Sequence, residues 1–146
     1  MNQVSTLIKT FFEEFERASN TFERDLLASQ FSDPFMAADP HGRIQVVKKE
    51  DFLAGIAQRQ AFFHSLGLQF VKIVPFEETR LDTHYVMVKA HGSMRFEQIP
   101  GQSVDMTYDS LYILFITDDS PQIVFQLTHE DLLKIMQEHG LVPGNL

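Results

Sequence analysis

The 146-residue chain carries a formal net charge of −8, with 12 Lys and Arg scattered among 20 Asp and Glu, which excludes the basic footprint expected of a phosphate-backbone binder. Hydrophobic residues make up 44% and charged residues 22%, a globular rather than a disordered composition, and the absence of cysteine removes disulfides, thiolate catalysis and thiolate metal ligation. With 14 Phe, 3 Tyr and no Trp, the aromatic surface is mostly mute in hydrogen bonding, so each tyrosine hydroxyl becomes a polar group to account for.

The opening "MNQVSTLIKTFFEEFER" has no basic segment followed by a continuous apolar stretch, and no apolar run reaches the roughly 18 residues of a membrane span. A cytoplasmic protein with neither a membrane nor a nucleic-acid partner is expected. Val4, Leu7, Ile8, Phe11, Phe12 and Phe15 recur at helical spacing and predict a first amphipathic helix. Asn20, with Glu23 three positions on, is predicted to cap a short second helix that buries Phe22, Leu26 and Leu27.

Two Asp-Pro steps follow, Asp33-Pro34 and Asp39-Pro40, and proline biases the residue before it toward extended geometry. "PFMAA" and "RIQVV" read as short strands around a "DPHG" turn. A third helix is predicted over residues 49–66, with Phe52, Ile56, Phe63 and Leu66 on its stripe and Gly67 as its left-handed stop.

From Leu68 the period becomes extended. "LQFVKIVPFEE", "HYVMVKAHGSMRFE" and "VDMTYDSLYILFIT" are long runs, and "QIVFQL" is a shorter one; short polar turns between them predict an antiparallel sheet. Runs this long have to bend, and Gly92 marks the expected bulge. "LTHEDLLKIMQEHG" predicts a C-terminal helix, with Thr128 and Asp131 as its capping box and Leu132, Leu133 and Met136 on a face that would cover a cavity mouth or extend a dimer contact. No repeat, low-complexity tract or linker breaks the chain, so residues 1–146 are read as one domain.

The order of these elements, together with the stretch "FSDPFMAADPHGRI", resembles the nuclear transport factor 2-like superfamily, including its SnoaL-like and ketosteroid isomerase-like members. That resemblance implies an α+β fold of three N-terminal helices packed in a strongly curved, mixed and mainly antiparallel sheet, the cystatin-like cone, with a short C-terminal helix added. It also implies an apolar cavity open at one end and a homodimer formed through the outer face of the sheet. "YILFI", apolar on both faces, fits a sheet covered on both sides.

By the same resemblance, Asp39 occupies the place of the isomerases' proton-shuttling aspartate, and apolar walls such as Phe35 would raise its pKa toward neutrality. The competing reading makes Asp39 and Asp33 turn residues ahead of their prolines. The positions of the isomerases' hydrogen-bond donors fall near Phe15 and Ile113, neither of which can donate, which argues against steroid-type isomerisation.

Other polar groups could replace them: Tyr108, Ser110 and Tyr112 alternate on one face of their strand, and Tyr85, Lys89 and His91, with Met87 among them, on one face of the preceding strand, each set lining the cone if its face points inward. The candidate ligand-binding residues are therefore Phe15, Phe35, Tyr85, His91, Tyr108 and Tyr112, with Asp39 as the candidate catalytic group. The histidines form no H-x-H or H-E-x-x-H pattern and the glycines no phosphate cradle, so neither a metal nor a phosphate-based cofactor is expected.

Two functions remain open at this point. One is binding of a small apolar or aromatic molecule, with proton transfer at Asp39; the other is a non-catalytic dimeric module that docks a protein partner on its sheet or Phe-rich surface. The setting of the Asp39 carboxylate discriminates between them.

Overall fold

Residues 4–128 and 132–141 are described by the computed structural model. Helix α1, Thr6–Thr21, begins where the Ser5 hydroxyl accepts the N–H of Ile8, 3.3 Å away, and ends at Phe22, whose backbone is left-handed. Ile8, Phe11, Phe12, Phe15 and Ala18 form its buried stripe, as the sequence period requires. Helix α2, Arg24–Gln30, follows without a side-chain cap. Asn20 is not that cap: it lies inside α1, and its amide bridges to strand β3, Leu68–Arg80.

Strands β1, Phe31–Ala38, and β2, Ile44–Val47, form the expected hairpin. The predicted third helix is two helices, α3, Lys49–Ala54, and α4, Ile56–Ser65, separated at Gly55. Glycine at that point has the lowest cost for interrupting the helical ladder. Strands β4, Tyr85–Ile99, β5, Gln102–Thr117, and β6, Ser120–Thr128, complete the sheet.

The six strands are ordered β2-β1-β6-β5-β4-β3, all neighbours antiparallel except β1 and β6, which run parallel. This is the mixed, mainly antiparallel α+β arrangement expected. Strand β3 is an edge, and α1 covers it: the Asn20 amide accepts the N–H of Val71 at 2.7 Å and donates to its carbonyl at 2.9 Å, and Glu16 accepts the N–H of Ile73 at 2.8 Å. Side chains on the helix thus satisfy the groups that make an open edge prone to mispairing.

Gly92 carries no bulge. Its pairings with Ile73 and Tyr108 belong to unbroken stretches of register, and the irregularity lies opposite, in β3 between Pro75 and Glu77. Proline has no N–H for the ladder and therefore sits where pairing is already interrupted. Gly92 answers a different demand, since a Cβ there would stand 2.3 Å from the Tyr108 ring.

Helix α5, Leu132–Glu138, is held beside the β4–β5 end of the sheet. Met136 and Leu141 are buried in the core, and the Leu141 carbonyl accepts from the Gln98 amide at 3.0 Å. Asp131, half of the predicted capping box, and the side chains of Leu132 and Leu133 lie outside the described residues.

Candidate functional site

Between α1, α2, the α3–α4 pair and the concave face of the sheet lies a cavity of about 560 Å³, within the roughly 300–1,000 Å³ usual for small-molecule sites. Strand parity decides which side chains reach it. In β4, Val86, Val88, Ala90, Gly92 and Met94 are buried, so the even positions face inward. Their partners in β5 carry the same face, which brings Tyr108, Ser110 and Tyr112 to the inner side. Gln126 pairs with Tyr112, and Ala37 pairs with both Gln126 and Gln45, which carries the inward band to the β1–β2 hairpin at the cavity mouth.

The walls are aromatic. Phe15, Phe31, Phe35, Phe52, Tyr108 and Tyr112 all line the cavity. Phe31 packs at 4.5 Å from Phe35 and 4.8 Å from Phe52 between ring centroids, and Tyr112 meets Phe15 edge-on at 5.7 Å. These contacts hold the rings in fixed orientations while leaving space between them.

Two phenols supply the polar chemistry of the interior. Burial pushes the Tyr108 hydroxyl up to about 12, and it makes no hydrogen bond to a described residue. Burial also raises Tyr112, Tyr108 beside it adds to the effect, and Ser110 opposes it. Both groups are neutral donors at any physiological pH, so from these two positions the cavity presents O–H groups to an acceptor.

The candidate residues divide between the two faces. Phe15, Phe35, Tyr108 and Tyr112 line the cavity. Tyr85 and His91 do not, which corrects the expectation that they line the cone: they occupy odd positions of β4 and face outward, because Val86, Val88 and Ala90 fill the interior. Tyr85 packs on Phe115, and His91 lies 2.5 Å from Asp109 through Nδ1 with its ring stacked on Phe76. Ile113, at the position compared with the isomerases' acid, also faces outward, while its neighbour Tyr112 points in.

Asp39 is the second correction. Its carboxylate accepts the backbone N–H groups of His41 at 2.8 Å and Arg43 at 3.1 Å, and its own backbone N–H donates to the Arg43 carbonyl. Partial desolvation acts to raise its pKa, but the hydrogen bonds from Arg43 and His41 and their positive charge prevail and hold it below the ordinary value. The carboxylate closes its own turn, and Asp39 is not among the cavity's lining residues. Asp33 has a similar local role, accepting the N–H of Lys49 at the start of α3 at 3.0 Å.

Three polar lining residues, Arg59, Asp51 and Gln126, were not singled out from the sequence, and of these Arg59 and Asp51 are exposed and mark the open side of the cavity. Arg59 had a signal there: it falls three positions after Ile56 and four before Phe63, on the stripe that should be apolar. Its guanidinium lies 4.7 Å from the centre of the Phe52 ring, and burial pushes its pKa down.

An α-helical layer wrapped by a curved six-stranded sheet around an aromatic cavity defines a cone-shaped α+β protein. The comparisons with solved structures specify it as the nuclear transport factor 2-like fold. An NTF-2-like protein of unknown function from Shewanella oneidensis MR-1 superposes with a TM-score of 0.64 at 17% identity, over 84% of this chain and 95% of that one. A ketosteroid isomerase-like protein from Erwinia carotovora atroseptica SCRI1043 gives 0.64 at 14% identity, over 88% and 96%. A putative SnoaL-like polyketide cyclase from Shewanella denitrificans OS-217 gives 0.60 at 9% identity, over 93% and 98%. No protein-family model and no curated protein matches the sequence. At these identities the likeness is one of fold.

Proposed function

We propose that the protein binds a small, largely apolar or aromatic molecule in the cone cavity. The observation that carries this reading is a cavity of about 560 Å³ walled by Phe15, Phe31, Phe35 and Phe52, with the Tyr108 hydroxyl left without a protein partner among the described residues. An apolar space with a few fixed polar groups is the usual design of a small-molecule site. Proton transfer at Asp39 is not part of the proposal, because that carboxylate is occupied by the backbone of its own turn.

The proposal includes a homodimer formed through the outer face of the sheet. Register places Val46, Met36, Phe125, Ile113 and Met87 in one row across five strands, and Val46 and Met36 are exposed. A contiguous apolar row on a sheet face supports a protein contact, and a second copy offers the same row in self-complementary form. This symmetric contact also replaces the alternative of a docking module for an unrelated partner.

The test is binding of 2-naphthylmethanol by the purified chain, followed by calorimetry and native mass spectrometry. Saturable binding that is lost when Ala37→Phe narrows the mouth is the expected result. A folded wild type that binds nothing refutes the cavity reading. Light scattering on Ile113→Lys tests the dimer, with the monomer as the expected species.

A further inference from the structure

The mouth of the cavity carries two opposite charges, Arg59 on α4 and Asp51 on α3, and they are differently compensated. Asp51 lies in the first turn of α3, where the unpaired N–H groups of the helix favour a negative charge. Arg59 is the fourth residue of α4, in the first turn, where the helix terminus gives a positive charge no support, and among the described residues its guanidinium meets only the face of Phe52. Stacking on a ring uses the flat face of a guanidinium and leaves its in-plane N–H donors free. Those donors belong to a residue that lines the cavity.

We infer that the ligand is an amphipathic carboxylate, with its aromatic or branched apolar body among the phenylalanine rings and its acid group held by Arg59 at the mouth. This rests on the reading of the cavity as a small-molecule site and specifies what the site takes. The planar guanidinium offers paired N–H donors that match the two oxygens of a carboxylate. An apolar body leads inward to Tyr108, whose neutral hydroxyl serves an acceptor oxygen at the far end of the molecule. Because the mouth is partly open to solvent, the ion pair contributes mostly selectivity, and added salt weakens it.

The experiment compares two probes with the same ring system, 2-naphthoate and 2-naphthylmethanol, by calorimetry on the full chain. The wild type should bind the carboxylate about tenfold more tightly than the alcohol, the lower end for a hydrogen bond to a charged group. Arg59→Gln should bring the two affinities together, Arg59→Lys should restore part of the gap, and Asp51→Asn should widen it by removing the opposing charge. Equal affinities in the wild type, or a preference that survives Arg59→Gln, overturns the inference while the cavity reading stands. Failure of both probes to bind overturns the two together.

Discussion

Gly92 and Tyr108 are cross-strand partners on the concave face, and the Tyr108 ring occupies the space where any other residue at position 92 would place its Cβ, 2.3 Å from the ring carbons. The glycine therefore sets the orientation of a cavity-lining phenol. Without that gap, the ring would be lifted off the sheet and into the space proposed for a ligand.

Gly92→Ala should destabilise the protein by about 1–3 kcal/mol, the usual cost of overpacking. Replacing a strand glycine whose backbone tolerates alanine ordinarily stabilises by about 0.4–1 kcal/mol, so the sign of the effect is diagnostic. Chemical denaturation measures it, and Gly92→Ala combined with Tyr108→Ala should be less destabilised than the sum of the single changes. A neutral or stabilising Gly92→Ala contradicts the packing of the ring against the strand.

The buried phenols predict a loss of stability in alkali. The folded Tyr108 pKa is raised to about 12 from an ordinary 10.0, so above the lower value the unfolded chain releases a proton that the native state keeps. Stability is fully present below the unfolded value and falls as pH rises toward the folded one. Tyr112 acts in the same direction. Thermal melts at about pH 8 and about pH 11 should show a drop in Tm, and Tyr108→Phe should reduce it, removing on the order of 1 kcal/mol of the pH-dependent loss. An identical pH dependence in wild type and variant would count against burial of the hydroxyl.

Asp39 should behave as a turn residue. Asp39→Asn keeps an acceptor oxygen for the N–H groups of His41 and Arg43 and should be mild, whereas Asp39→Ala removes it and should lower Tm by a few degrees. Amide exchange at His41 and Arg43 should accelerate only in the alanine variant. Because the folded pKa lies below the ordinary 3.8, the stabilisation is present above that value and is lost as pH falls through the lower one. Ligand binding that collapses in both variants while Tm is unchanged would restore a direct role in the site.

Asn20 supplies two hydrogen bonds to Val71 on the sheet edge. Asn20→Ala leaves those backbone groups without their side-chain partner and should cost about 1–3 kcal/mol by chemical denaturation. Asn20→Asp keeps the acceptor for the Val71 N–H and loses the donor to its carbonyl, so an intermediate effect is expected. Full stability in Asn20→Ala would show that the helix seals the edge by packing alone.

The elements and their order were legible because the periods in the chain are clear. The run from Val4 to Phe15 has one helical stripe, and the runs after Leu68 are too extended and too apolar for anything but a sheet. The third helix was misread as continuous because Phe52, Ile56 and Phe63 keep helical spacing across Gly55, while the break is made by the backbone. Asn20 was misread for a similar reason: a capping pattern is local, but its amide found partners 51 residues away.

The site was half legible. Tyr108 and Tyr112 stood out as two of three tyrosines, alternating with Ser110 on one strand face, whereas the alternation of Tyr85 and His91 with Val86, Val88 and Ala90 gave no sign of which face of their strand would turn inward. Arg59 broke an apolar stripe, yet a cation flanked in the chain by Gln58 and Gln60 gives no sign of the ring beneath it.

By itself the sequence determined the order and type of the helical and extended segments, because these depend on periodicity, and it left Asp39 open between a turn residue and a proton shuttle. Only the tertiary structure decided which face of each strand lines the cavity and where the free donors point. Those outcomes depend on register across the sheet and on packing between distant segments, as Tyr108 over Gly92 and Arg59 over Phe52 show.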